Sequence, residues 1–228
     1  MATSRTRTSR PGDRPRQSPQ RRPPRKRKRR PPKKRKQPLI FRVLIPLLIL
    51  AVLVGLGLNM KRAGMGVNHV PGWISVQLLA EDSNSRSGLK ITKVRDVAIH
   101  YVGNPGTTAQ QNRDYFAQPD TEVNSHFVIG LDGEIIQCIP LNERSSATNE
   151  RNVDTISIEV CHPDETGQFT QASYDALVKL TAWLCDHFDL DRSQVIRHYD
   201  VTGKPCPLYF VEHEDAWEQF KADVENYE

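Results

Sequence analysis

Three side chains in this 228-residue sequence could hold one metal ion between them. His198 and Cys206 stand eight positions apart in the segment R-H-Y-D-V-T-G-K-P-C-P (197–207), where Gly203 and Pro205 imply a loop that can turn both side chains towards one point. His100 lies near the end of a β-branched run, Val94 to Val102, just before the turn signal Gly103-Asn-Pro-Gly106, so its side chain can reach a cleft at a sheet edge. Alone, such a histidine reads as a hydrogen-bonded structural residue; beside the His198/Cys206 segment it reads as a ligand. Two imidazoles and one thiolate leave the fourth tetrahedral position of a zinc ion open, which distinguishes catalytic from structural zinc. Water at such a position is a nucleophile at neutral pH.

The elements that must position these groups alternate between strand and helix patterns. Thr107 or Thr108 can cap a helix to about Gln118 that carries Tyr115 and Phe116. Ser125 to Leu131 and Glu134 to Pro140 read as the strands of a hairpin joined by the two-residue turn Asp132-Gly133. Thr155 to Cys161 alternates, putting Ile156, Ile158 and Val160 on one face and Ser157, Glu159 and Cys161 on the other. Glu159 on that polar face is by pattern a solvated carboxylate, and His126, flanked by Phe127 and Val128, is a packed or substrate-contacting histidine. Thr170 to Phe188 repeats apolar residues at helical spacing, and a last helix spans about Glu212 to Asn226 with Trp217, Phe220 and Val224. The pattern predicts an α/β domain with a central mixed β-sheet flanked by α-helices.

Charge divides the chain. Residues 1–62 hold 20 Lys and Arg and one acidic residue, Asp13, whereas residues 63–228 hold 12 basic and 26 acidic residues. The domain is therefore acidic and is expected to bind no nucleic acid. Residues 1–38, with eight prolines and runs such as Arg25-Lys-Arg-Lys-Arg-Arg30, read as a disordered basic tail. Leu39 to Leu58 is apolar except for Arg42 and, at Pro46, a helix-breaking residue; at 1.5 Å per residue its 20 residues cover a hydrocarbon core of about 30 Å. It is read as an uncleaved transmembrane anchor, with the basic flank in the cytoplasm and residues 63–228 outside. Residues 59–72 then form a linker, and residues 73–228 the domain. A nucleic-acid role for the basic tail conflicts with the apolar run beside it. Of the remaining cysteines, Cys138 and Cys161 lie on strands that look adjacent and could pair, and Cys185 sits on the apolar stripe of a helix.

The stretches I-H-Y-V-G-N-P (99–105), S-H-F-V-I-G-L-D-G-E-I-I-Q (125–137), I-S-I-E-V (156–160) and R-H-Y-D-V-T-G-K-P-C-P (197–207), in this order, resemble the N-acetylmuramoyl-L-alanine amidase family, which shares its fold with peptidoglycan recognition proteins. The resemblance runs from about residue 73 to 224. It implies that His100, His198 and Cys206 bind Zn2+, that Glu159 activates water, and that Lys204 supports the oxyanion of the scissile amide. Some relatives place a tyrosine before the histidine of the second motif; Ser125 stands there and cannot act as the same acid or base, which puts more weight on Glu159. The implied activity is zinc-dependent hydrolysis of the amide bond between N-acetylmuramic acid and the L-alanine of peptidoglycan; the apolar run and its basic flank place that activity on the outer side of a bacterial cell membrane. The alternative is a non-catalytic peptidoglycan-binding module; such modules typically lack the zinc cysteine, and Cys206 is present.

Overall fold

The computed structural model describes residues 45, 47–50 and 68–227. The expected basic tail lies outside them, as does the expected anchor apart from Ile45 and residues 47–50, which are helical. Among the described residues no helix is long and apolar enough to cross a membrane.

The strands are β1 (Ser75–Val76), β2 (Asp96–Tyr101), β3 (Phe127–Ile129), β4 (Ile135–Gln137), β5 (Thr155–Val160) and β6 (Val195–Arg197). They form one mixed sheet in the order β1-β4-β3-β5-β2-β6, parallel throughout except for the antiparallel pair β3–β4. The helices are α1 (Ala109–Phe116), α2 (Gln171–Phe188), α3 (His198–Thr202), α4 (Leu208–Glu212) and α5 (Glu214–Glu225).

The period-2 alternation decides which face is core. Val97, Ile99, Phe127, Ile129, Ile156, Ile158 and Val160 point to one side, where Leu177, Leu180 and Leu184 of α2 and Trp217, Phe220 and Val224 of α5 cover them. Full burial of each such aliphatic side chain contributes roughly 1.5–3 kcal/mol. On the other face a smaller cluster gathers Phe116 of α1 with Val128, Ile136, Cys138, Ile139 and Cys161. Beyond α1, at β2 and β5, that second face carries His100 and Glu159.

Helix starts follow the expected chemistry. Thr108 caps α1, and with Gln111 it forms a reciprocal capping box. Thr170 caps α2, whose C-terminal Asp189 is left-handed. The last helix falls where it was expected, as α5, and a separate short helix, α4, precedes it across His213. Two expectations are corrected. The strand pairing ends at Ile129–Ile135, and a further bond from Gly130 N–H to Glu134 O at 2.8 Å leaves Leu131, Asp132 and Gly133 in the turn, three residues rather than two. Cys138 and Cys161 are both buried free thiols and do not pair.

Candidate metal centre and cleft

Three parallel strands deliver the site at their carboxyl ends, the place where open α/β sheets bind ligands. The register of β2 on β5 sets His100 beside Glu159, each one residue before the end of its strand and on the same face. β6 stops at Arg197, so His198 opens α3. Arg197 is buried, bonds Asp200 and, at 2.6 Å, Glu214, and so ties the start of α3 to α5. The expected loop between His198 and Cys206 is thus helical over its first five residues. Gly203, at φ 74°, ends that helix in the left-handed conformation glycine adopts without strain. The chain then doubles back, and Tyr199 N–H donates to Cys206 O at 2.9 Å.

The result brings one ligand atom each of His100, His198 and Cys206 within 4.8 Å of one another. Nδ1 of His100 is 3.9 Å from Cys206 Sγ and 4.0 Å from Glu159 Oε1. The two imidazole centroids lie 4.7 Å apart. Each ring is held from behind: His100 Nε2 meets Thr148 Oγ1 at 3.2 Å, and His198 Nε2 meets Asn149 Oδ1 at 2.8 Å.

Burial dominates the electrostatics. It pushes His100 well below the usual histidine range, helped by His198 and by the Lys204 charge, and it lowers His198, again with Lys204 helping. Both rings are therefore neutral and fit to ligate. Burial also raises the Cys206 thiol to about 12, with Glu159 adding to the rise. It raises Glu159 to about 8, against the opposing pull of Lys204. Glu159 Oε2 is buried without a hydrogen-bond partner among the described residues, which removes the solvated-carboxylate reading.

An open cleft of about 530 Å³ lies over these groups, lined by His100, Glu159, His198, Lys204 and Cys206 together with Tyr101, Tyr115 and Val123. Of the residues singled out in the sequence, five meet in this cleft and one does not. His126 is fully buried, its Nδ1 3.1 Å from Ser157 Oγ and its Nε2 2.8 Å from Glu143 O, so the substrate contact expected of it is replaced by a core role. Its neighbour Ser125 is also buried and donates to Phe127 O. Thr148 and Asn149 carried no motif; the only local hint is that asparagine tolerates the left-handed backbone it adopts here, φ 52°.

The donor set suits zinc. Two neutral imidazoles and a thiol converge, and an oxygen stands at hydrogen-bond distance from Nε2 of each ring, the outer-shell pattern of metal-bound histidine. Fold and site together define an α/β domain with an open two-histidine, one-cysteine centre. The N-acetylmuramoyl-L-alanine amidase family matches residues 90–208, more than half of the chain and a span that holds all five cleft residues, and the chain belongs to that family. It is 30% identical over 161 residues to the N-acetylmuramoyl-L-alanine amidase BlyA of Bacillus subtilis, covering 61% of this chain and 43% of that one. It is 28% identical to the N-acetylmuramoyl-L-alanine amidase CwlL of Bacillus licheniformis, covering 62% and 44%. The chain thus spans under half the length of these curated relatives. Among solved structures, the catalytic domain of XlyA matches with a TM-score of 0.58 at 27% identity, covering 66% of this chain and 98% of that domain. PlyL, at 21% identity and a TM-score of 0.61, supports the fold alone.

Proposed function

We propose that this chain is a zinc-dependent peptidoglycan hydrolase that cleaves the amide bond between the lactyl group of N-acetylmuramic acid and L-alanine. The observation that carries the reading is the convergence of His100, His198 and Cys206 beside the buried carboxyl of Glu159 on an open cleft. Zinc held by those three residues supplies a Lewis acid that polarises the scissile carbonyl and acidifies water.

The chain's own groups do the rest. Glu159 faces the centre, and a cation there favours its carboxylate form, which takes a proton from the attacking water and passes it to the leaving amine. Lys204, on the cleft wall, puts a positive charge where the amide oxygen becomes negative. Relatives named as N-acetylmuramoyl-L-alanine amidases support the bond assignment. We extend the proposal to place: the apolar run 39–58 and its basic flank support a membrane-anchored enzyme with the domain outside the membrane.

The test uses the full-length chain in detergent on purified peptidoglycan, reading release of new L-alanyl amino groups with and without chelator. Release that chelation stops, zinc restores and Cys206→Ser abolishes is the expected result. Glu159→Gln should retain zinc and lose about 10²–10⁴ of the rate, the range of general acid–base catalysis. Stoichiometric zinc with no amine from any wall type would instead favour the binding-module reading.

A further inference from the structure

Both imidazoles of the centre are held by one short segment on the cleft wall. Thr148, fully buried, faces His100 Nε2, and the next residue, Asn149, faces His198 Nε2. The segment is itself fixed from both sides. Asn152 Oδ1 accepts from the N–H groups of Ala147 at 3.1 Å and Thr148 at 2.7 Å, which pins the chain just before the two contacts. Asn149 then begins a 3₁₀ turn, Asn149–Val153, in a left-handed conformation. In that turn Arg151 pairs with Asp154 at 2.8 Å and also with Asp96, the first residue of the strand that carries His100. Thr155, the first residue of the strand that carries Glu159, donates its hydroxyl to Arg151 O at 2.8 Å. A continuous series of bonds therefore runs from the starts of two site-bearing strands, through Arg151 and Asn152, to the back of each ring.

We infer that Thr148 and Asn149 are positioning residues of the metal centre, each fixing the tautomer and orientation of one histidine. The inference rests on the zinc reading for its purpose, but its physical content stands on the protein alone. Asn149 Oδ1 can only accept, so His198 Nε2 carries the proton and Nδ1 is the bare nitrogen. For His100, Nδ1 faces Cys206 and Glu159, so ligation there requires the proton on Nε2, donated to Thr148 Oγ1. Both rings are thus set to offer Nδ1.

The experiment compares the full-length wild type with Thr148→Val, Thr148→Ser and Asn149→Gly. Valine keeps the shape of threonine without the hydroxyl, serine restores the hydroxyl, and glycine keeps the left-handed backbone while removing the amide. Zinc affinity is read by competition with a chelating dye, and ring tautomers in the metal-free chain by long-range ¹H–¹⁵N NMR. Thr148→Val and Asn149→Gly should each weaken zinc binding by about 10–100-fold, and Thr148→Ser should restore it to near the wild-type value. The metal-free wild type should show both rings as the Nε2–H form, with His100 losing that preference in Thr148→Val and His198 in Asn149→Gly. Folded variants with wild-type tautomers and wild-type zinc affinity overturn the inference. If the wild type itself takes up no zinc, the proposed function falls, and the tautomers alone decide this one.

Discussion

At the scale of single residues, the centre is built so that its ligands are not charged until a metal arrives. His100 and His198 are already neutral at pH 7, so they have no proton to lose. Cys206, held at about 12 by burial and by Glu159, keeps its thiol proton in the free chain and must give it up to bind. Glu159, raised to about 8, is also mostly protonated at pH 7, and a nearby cation drives it to the carboxylate. The sign follows: binding releases protons, so zinc affinity rises with pH. We expect calorimetry at pH 7, in buffers of different ionisation enthalpy, to report release of between about one and two protons per zinc in the wild type and about one in Glu159→Gln. At pH 9, above the Glu159 value, the two proteins should converge near one. Equal release from both at pH 7 would sink the assignment of the second proton to Glu159.

At the scale of elements, the hairpin loop shows how a local turn can be read correctly and measured wrongly. Asp132-Gly133 did mark the reversal, but where the ladder closes depends on contacts outside the loop: Ser173 and Thr170, at the start of α2, donate to Gly130 O at 2.8 Å and Leu131 O at 2.6 Å. Gly133 sits at φ 84°, and a Cβ there would lie 2.8 Å from Ala172 O. Gly133→Ala should therefore destabilise the domain by about 1–3 kcal/mol, from strained backbone and displaced helix end together. Urea unfolding checks this, and because the loop is not part of the metal centre, zinc affinity should stay unchanged. An unaltered midpoint would show that the loop relaxes freely. The same division explains what else was legible. Alternation in T-I-S-I-E-V placed Ile158 in the core and Glu159 opposite, since period 2 is a local property. His100 and His126 looked alike as strand histidines, yet one lines a cleft and the other is sealed, because the carbonyl of Glu143 and the hydroxyls of Ser145 and Ser157 come together over His126 from distant parts of the chain. Thr148 and Asn149 were illegible for the same reason: their partners are 48 and 49 residues away.

At the scale of the whole molecule, the chain separates its charges: 20 basic residues and one acidic in residues 1–62, 12 basic and 26 acidic beyond. An acidic domain gains no electrostatic hold on anionic lipid or on other anionic polymers at a cell surface, and its own charge repels them. On the proposed reading, retention near the wall comes from the N-terminal part, by burial of the apolar run 39–58 and by attraction of its basic flank to anionic headgroups, about 1 kcal/mol per basic residue near the surface. The two contributions respond differently to salt, because screening weakens the second and leaves hydrophobic insertion intact. We therefore expect the full-length chain to stay with sedimented membranes through washes at 1 M salt, whereas a chain lacking residues 39–58 leaves them at that salt. Protease added outside intact protoplasts should remove the domain and leave a fragment that carries the basic tail. If salt alone released the full-length chain, the tail would be a surface contact and the apolar run no anchor. Protection of the domain from external protease would reverse the proposed orientation and remove it from its proposed substrate.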